Sequence, residues 1–596
     1  MALTREQMLA SIERAKAIVE AAKQKKATQL LESESSRIAA LGLKKAEELP
    51  HAPAPLAAST MVWNAEQQQA IDYGFFGKSF CLIGAAGTGK TTTLRAILSN
   101  MIENHRIPPL DLSTKHLMAG APGVALISYT RRAVRNISKQ MSKQLKDHCI
   151  TFHKLVEYEP HYYTKWDEEE CKEVNTMRFE PARHRANPLP RNLKLIIVDE
   201  ASMLSIDYFN ELWEALPNPH AVQFIFLGDL NQLPPVYGQA ILGKKLLELP
   251  IIELTKVYRQ ALESPIIALA LAVKDNNFDV IQGETNQGVF KVDGEAISPY
   301  DIAKRFDFKN IVKKVTIERE GRGKVTLHPW KKVLDKDDAL MAMQGQLGMW
   351  IRDGVYDPEQ DLVLCPWNKS FGTDELNLSI ADYISKTAQK TVYEIIAGYN
   401  RFYFAVGDKL LVDKQEAVIL EISHNLRYLG KRPQRPSKTM NRWGNGNTDK
   451  LETDAGVFGD DLTDDQIDFM LEHAADVEDR TTESSHAIRV LFLDSGEEET
   501  LSKASQLNSA TFAYAITVHK AQGSECRRVF LLTHSCHAAM CSRELIYTAI
   551  TRAAEELYIV MDPKLLAKAA SKPRIKGDTL AAKLEFFNSR MQEKAE

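Results

Sequence analysis

Short apolar runs alternate with amphipathic ones along most of the chain. Between positions 79 and 254 the strand-like runs are Ser79 to Ile83, Val124 to Tyr129, Leu193 to Asp199, Val222 to Gly228 and Ile251 to Leu254. Most lead into a helix-compatible stretch, such as Thr92-Thr93-Leu94-Arg95-Ala96-Ile97-Leu98. Near-continuous apolar strands separated by helices predict a parallel sheet covered on both faces. A second series starts at Asp361-Leu362-Val363-Leu364-Cys365 and resumes at Thr511 to His519, Arg528 to Thr533 and Leu557 to Met561. The expected fold class is therefore α/β, with two parallel-sheet cores at 61–255 and 256–596. Residues 1–50 show helical spacing and His51-Ala52-Pro53-Ala54-Pro55 reads as a stiff linker, so 1–60 is expected to be a helical extension with its linker. The stretches 151–190, 276–360 and 401–510 are too long for plain loops and predict inserted subdomains, the last a candidate small β-barrel.

Composition narrows the class without choosing a partner. The chain has 596 residues, 44% of them hydrophobic, enough for several cores. Its 75 basic and 79 acidic residues leave a formal charge of −4, so a nucleic-acid site has to be a local patch. The seven cysteines include no Cys-x-x-Cys pair, which speaks against a disulfide framework and a zinc ribbon. No apolar run reaches the length of a membrane span, and Arg5, Glu6, Glu13, Arg14 and Lys16 interrupt the N-terminal stretch, so a cytoplasmic location without membrane partners is expected.

Chemistry enters with the loop Gly84-Ala85-Ala86-Gly87-Thr88-Gly89-Lys90-Thr91, which fits G-x-x-x-x-G-K-[ST] between a strand and a helix. Glycines let backbone N–H groups close around phosphates, Lys90 supplies a point charge, and the Thr91 hydroxyl suits Mg²⁺. A nucleoside triphosphatase using Mg²⁺ follows. Leu195-Ile196-Ile197-Val198-Asp199-Glu200 is an apolar strand ending in two acids: Asp199 is placed for the metal and Glu200 as general base. Phe224-Ile225-Phe226-Leu227-Gly228-Asp229-Leu230-Asn231-Gln232-Leu233-Pro234-Pro235-Val236 delivers Gln232 as a sensor of the γ-phosphate.

Gly-Asp-x-x-Gln-Leu-Pro-Pro-Val resembles motif III of superfamily 1 helicases, and the other motifs follow in that family's order. Trp63-Asn64-Ala65-Glu66-Gln67 resembles the adenine-reading motif, with Gln67 in the key place. Leu254-Thr255-Lys256-Val257-Tyr258-Arg259-Gln260 is similar to motif IV, Thr517-Val518-His519-Lys520-Ala521-Gln522-Gly523-Ser524-Glu525 to motif V, and Tyr547-Thr548-Ala549-Ile550-Thr551-Arg552-Ala553 to motif VI. Thr151-Phe152-His153-Lys154-Leu155, together with Asn368-Lys369-Ser370 and Leu376-Asn377, resembles the Dda and RecD branch of phage and bacterial DNA helicases. The resemblance covers roughly 61–562 and implies two RecA-like cores forming an ATP-driven DNA motor that moves 5′ to 3′. Its implied partners are single-stranded DNA, forked or tailed duplexes, and replication or recombination proteins.

On the same resemblance, Gln67, Gly84, Gly87, Gly89, Lys90, Thr91, Thr92, Tyr258, Gly523 and Glu525 bind the nucleotide, and Thr91 and Asp199 hold the metal. Lys90, Glu200, Gln232, Arg259 and Arg552 are the catalytic set, and Thr130, Thr151, His153, Thr517, His519 and Lys520 touch the strand. Ser128-Tyr129-Thr130-Arg131-Arg132-Ala133 departs from the family by carrying two arginines where small or amide residues are frequent. Alternatives stay open: His153 and His519 as buried hydrogen-bonded histidines, Tyr258 as a core tyrosine, Arg259 as a surface ion pair. On the resemblance, the insert 151–190 stands where that branch carries a duplex-splitting pin, with Met177-Arg178-Phe179 as the candidate tip and Phe179 as its ring; ordinary packing of Phe179 is the favoured alternative. Lys431, Arg432, Arg435, Lys438 and Arg442 around Trp443 precede an acidic block, which reads as a solvated insertion or a strand-tracking loop. An RNA-directed helicase and a non-catalytic nucleic-acid clamp are the rival functions.

Overall fold

The structure is a computed structural model. It describes residues 46–53, 62–167, 172–235, 238–258, 263–277, 290–297, 313–329, 336–425 and 483–592, apart from 359, 370, 399, 413–414, 426–427 and 494–495, together with Arg37 and Tyr428. The chain divides into two units, Met1–Tyr258 with Pro573–Glu596, and Arg259–Lys572.

The first unit is built on β1 (Phe80–Gly84), β2 (Val124–Ser128), β3 (Cys149–Thr151), β6 (Leu195–Val198), β7 (Gln223–Gly228) and β8 (Ile251–Leu254), while β4 (Tyr158–Asp167) and β5 (Lys172–Pro181) form a separate hairpin. The six strands run parallel in the order β3-β2-β6-β7-β1-β8. Because successive strand side chains point to opposite faces, each strand feeds two cores. Cys81, Ile83, Ile127, Ile196, Val198 and Phe226 lie in one apolar cluster; Phe80, Leu82, Leu126, Ile197, Ile225 and Leu227 lie in the other. Helix α1 (Ala65–Phe75) precedes the first strand, and α2 (Lys90–Glu103), α3 (Arg131–Gln140), α4 (Ile206–Ala215) and α5 (Ile241–Glu248) lie between later ones. A parallel sheet brings the carboxyl ends of all its strands to one edge, where a ligand site is expected.

In the second unit the sheet has eight strands. Gly323–Pro329, Ala553–Met561, Cys526–Leu532, Leu362–Cys365 and Ala515–Thr517 lie side by side in parallel. Of the region 276–360, expected as an insert, two described segments instead belong to this core. Gly323–Pro329 is an integral parallel strand beside Ala553–Met561, and Met343, Leu347 and Trp350 of the helix Lys336–Arg352 enter the same apolar cluster as Leu376 and Ile380. The pairing joins segments more than two hundred residues apart in sequence, so local periodicity carries no trace of it.

The candidate barrel is a seven-stranded antiparallel sheet from Val392–Ala397 to Thr511–Phe512, cored by Ile395, Leu410, Ile419, Ile488 and Val490. Among the described residues no hydrogen-bonded pairing joins its outer strands, Asn400–Ala405 and Thr511–Phe512. Their rings Phe404 and Phe512 meet edge to face at 5.3 Å, so the curl closes through side chains. The charged segment holding Lys431, Arg432, Arg435, Lys438, Arg442 and Trp443 lies outside the described residues, as do residues 1–36 and the acidic block.

Two further expectations are corrected. The second core does not run to 596: α6 (Leu580–Gln592) packs on the first unit, with Leu584 buried and Leu580 and Phe587 against the same cluster. Nor is 51–53 a free linker. The Asp72 carboxylate on α1 accepts from the Ala52 amide (2.7 Å) and meets His51 Nδ1 (3.0 Å), while Asn100 Nδ2 donates to the Pro53 carbonyl (2.6 Å).

Candidate active site

Phosphate-loop geometry follows from its glycines. Gly87 and Gly89 adopt φ of +79° and +84°, the left-handed region that glycine enters without a Cβ penalty. At Gly84 a Cβ would sit 2.5 Å from Thr88 Oγ1, which donates to the Ala85 carbonyl (2.9 Å) and fixes the turn. Lys90 Nζ donates to the carbonyls of Gly84 (2.6 Å) and Ala85 (3.1 Å), so its ammonium rests on the loop itself. Thr91 and Thr92 stand half-buried in the first turn of α2.

Gln67 is held over this loop. Its backbone N–H donates to Asn64 Oδ1 (2.7 Å) and its Oε1 accepts from the Asn64 N–H (3.3 Å), a reciprocal N-terminal cap of α1. The Tyr258 hydroxyl donates to Gln67 Oε1, and the Tyr258 N–H donates to the Gly87 carbonyl (3.2 Å). A Cβ on Gly89 would meet Gln67 Nε2 at 3.0 Å and the Tyr258 ring at 3.2 Å. Gln67, Gly89 and Tyr258 therefore pack together at the phosphate loop.

The acids arrive from the neighbouring strands. Asp199 follows β6 and its N–H donates to the Ile127 carbonyl (2.8 Å); Glu200 takes a left-handed φ of +49°. After β7, Asp229 is buried and its Oδ1 accepts from the N–H (2.9 Å) and Nδ2 (2.8 Å) of Asn231, while the Gln232 N–H donates to the Asp229 carbonyl (3.2 Å). Gln232 is 6% exposed, and its Oε1 has no hydrogen-bond partner among the described residues. A buried acceptor left unmade costs about 1–3 kcal/mol, which a ligand at this edge relieves. Ser128 Oγ and Ser202 Oγ share that condition. Neither was singled out by motif: Ser128 closes β2, and Ser202 sits three residues after Asp199.

The strand-contact candidates of the first unit turn out to have structural duties. Thr130 Oγ1 accepts from the Ala133 N–H (3.2 Å) and caps α3; Thr151 Oγ1 accepts from the Lys154 N–H (3.3 Å) and caps a short helical turn. His153 is half-buried in a box of aromatic rings, with centroids 5.0 Å from Tyr158, 5.4 Å from Tyr129 and 5.5 Å from Phe152 and from Tyr208. Burial, with Tyr208 adding to it, pushes the Tyr129 phenol up to about 12.

In the second unit, motifs V and VI are brought together. The buried Arg552 donates from Nε to the Thr548 carbonyl (3.0 Å), from Nη1 to the Ser524 carbonyl (3.1 Å) and from Nη2 to Thr551 Oγ1 (3.1 Å), which fixes it beside Gly523 and Glu525. Gly523 has φ of +75°, and Glu525 is exposed. Thr517 is buried and its Oγ1 accepts from the Lys520 N–H (3.4 Å), His519 is half-buried and Lys520 exposed. Arg259, Gln260 and Ser370 lie outside the described residues.

Phe179 is 58% exposed, which removes it from ordinary packing, yet it is not at a tip. It pairs with Pro160 in a register running from Tyr158↔Pro181 to Asp167↔Lys172, so Met177-Arg178-Phe179 belongs near the root. The two arms of ten residues stay paired as far as Asp167↔Lys172, well beyond the candidate tip. That root is fastened by the buried Glu157, whose carboxylate accepts from Arg183 Nε (2.9 Å) and Nη2 (3.0 Å) and from the Lys115 N–H (2.8 Å).

Residues 67–238 match the family described as an AAA domain, and residues 512–560 match a UvrD-like helicase C-terminal domain. An ATP-dependent RecD2 DNA helicase of Deinococcus radiodurans is 26% identical over 512 residues, covering 85% of this chain and 50% of that protein. RecBCD enzyme subunit RecD of Mycobacterium tuberculosis is 29% identical over 184 residues, 30% of this chain and 28% of the subunit. A solved Pif1 helicase from Bacteroides in complex with ADP-AlF3 and ssDNA covers 90% of this chain and 98% of its own, at 14% identity and a TM-score of 0.40. The chain spans half the length or less of these two curated relatives. In sequence it is akin to superfamily 1 helicases of the RecD kind.

Proposed function

From that kinship we propose that the chain is an ATP-dependent DNA helicase that moves along single-stranded DNA from 5′ to 3′ and opens forked or tailed duplexes. The observation carrying the proposal is the carboxyl edge of the first sheet, where the phosphate loop, Asp199, Glu200 and the unpartnered Gln232 Oε1 end neighbouring strands. A hard oxygen set, the Thr91 hydroxyl and the Asp199 carboxylate, fits Mg²⁺, and glycine-rich backbone beside Lys90 fits a triphosphate. Held by these two oxygens, Mg²⁺ would supply positive charge to offset the negative charge developing on the triphosphate.

The residues of the chain take the remaining roles. Lys90 exchanges its contacts with the Gly84 and Ala85 carbonyls for phosphate oxygens. Glu200 accepts the proton of the attacking water at its carboxylate, and Gln232 Oε1 accepts a hydrogen bond from the same water and orients it. Gln67 and Tyr258 receive the adenine, and Gly523 and Glu525 are assigned to the nucleotide. Arg552 and Arg259 are assigned the charge of the transition state, a role worth about 10³–10⁵ in rate. Thr130, Thr151, His153, Thr517, His519 and Lys520 contact the strand, where hydroxyls and amides that bind and release each phosphate suit a motor better than a fixed basic stripe.

The test is ATP turnover with and without single-stranded DNA. Wild-type protein is expected to show strong stimulation, and Lys90→Ala none. Stimulation by RNA strands alone would transfer the function to RNA, and absence of turnover with either would leave a nucleic-acid clamp.

A further inference from the structure

The helix α6 reaches, from the far end of the chain, the turn that leads into Gln232. Leu580, Leu584 and Phe587 recur along one side of α6 and anchor it on the first unit. Gly243 on α5 makes the fit possible, since a Cβ there would lie 2.8 Å from the Phe587 ring. Docking of that side carries Lys583 inward to 9% exposure. A buried ammonium is costly unless its donors are used, and Lys583 Nζ donates to Asn231 Oδ1 (2.7 Å) and the Leu230 carbonyl (3.3 Å).

We propose that Lys583 is a positioning residue for Gln232, an inference that rests on the hydrolytic role given to Gln232 above. With its Oδ1 committed to the ammonium, the Asn231 amide can turn in only one sense, with Nδ2 toward Asp229 Oδ1 (2.8 Å). The Asn231 N–H reinforces that contact (2.9 Å), and the Gln232 N–H closes the turn on the Asp229 carbonyl (3.2 Å). The turn 229–232 is thus held from inside by Asp229 and from outside by Lys583. Gln232 leaves it with a buried, unpartnered Oε1, and its aim is set by this turn. Loss of the ammonium strips a donor from Leu230 and Asn231, frees the amide to flip, and loosens the turn while α6 stays docked through its apolar side.

Lys583→Met keeps the length and apolar stem of the side chain and removes the charge. Three measurements decide: ATP turnover at saturating single-stranded DNA for Lys583→Met, Gln232→Ala and the double variant; the KM for ATP; and hydrogen exchange in the nucleotide-free protein. Expected are a fall in kcat of about tenfold with KM nearly unchanged, no further fall when Lys583→Met is added to Gln232→Ala, and faster exchange over 229–233 with exchange over 580–592 unchanged. Multiplying losses in the double variant, an unchanged kcat, or faster exchange spread over the whole of α6 would each overturn the proposal and leave Lys583 as an anchor of its helix. Wild-type protein that turns over no ATP would sink the hydrolytic reading instead, and the exchange result then still decides whether Lys583 orders the turn.

Discussion

Gln232 concentrates the chemistry of the first unit: its backbone is fixed by Asp229, its side chain is buried, and its Oε1 lacks a protein partner among the described residues. Gln232→Ala is expected to lower DNA-stimulated kcat by about 10² while leaving affinity for a fluorescent ATP analogue nearly intact. Equal loss of affinity would assign the side chain to ground-state binding. Lys90, Asp199, Glu200 and Gln232 are legible in the sequence because phosphate chemistry dictates residue types at fixed short spacings. Lys583 is not, because its partners Leu230 and Asn231 lie some 350 residues away and no local pattern marks a lysine that the fold turns inward. Ser128 and Ser202 are hidden for a related reason, since an unsatisfied hydroxyl shows only once its surroundings are packed.

At the scale of elements, the hairpin is a long arm with a rigid root. Burial of Glu157 acts to raise its carboxyl pKa, but the paired Arg183 donors and the Lys115 N–H outweigh burial and hold it below the ordinary carboxylate range. A depressed folded-state value means that this stabilisation is present at neutral pH and is lost as pH falls through that value. Cleavage of the hairpin by pepsin should therefore rise on strong acidification, and Arg183→Met should bring that sensitivity forward by stranding a buried carboxylate, a cost of about 1–3 kcal/mol. Phe179, exposed beside this root, is expected to matter for duplex opening alone. Phe179→Ala should slow unwinding and spare strand-stimulated hydrolysis, and equal loss of both would remove the ring from duplex contact. The β1, β2, β6 and β7 strands are readable because each is a continuous buried run. Hairpin register and the parallel strand Gly323–Pro329 are not, because strand pairing between distant segments is decided by tertiary packing and not by periodicity.

Over the whole molecule, the chain passes from the first unit to the second after Tyr258 and returns after Lys572, so the last helix belongs with the residues that begin the fold. The alternation of runs predicts two sheets with parallel cores, and both are present, the second extended by antiparallel strands; the strand Gly323–Pro329 and the last helix are what it does not predict. A formal charge of −4 gives no global attraction to DNA, so affinity has to come from local contacts that cycle with hydrolysis. The central claim is motion on a single strand coupled to ATP and ending in strand separation. It is tested most directly by duplexes that carry a single-stranded tail on one end only, with ATP and Mg²⁺ and with Lys90→Ala as control. The account predicts opening of the 5′-tailed DNA by the wild-type protein and of neither substrate by the variant; preferential opening of the 3′-tailed DNA, or hydrolysis without any strand separation, would contradict it.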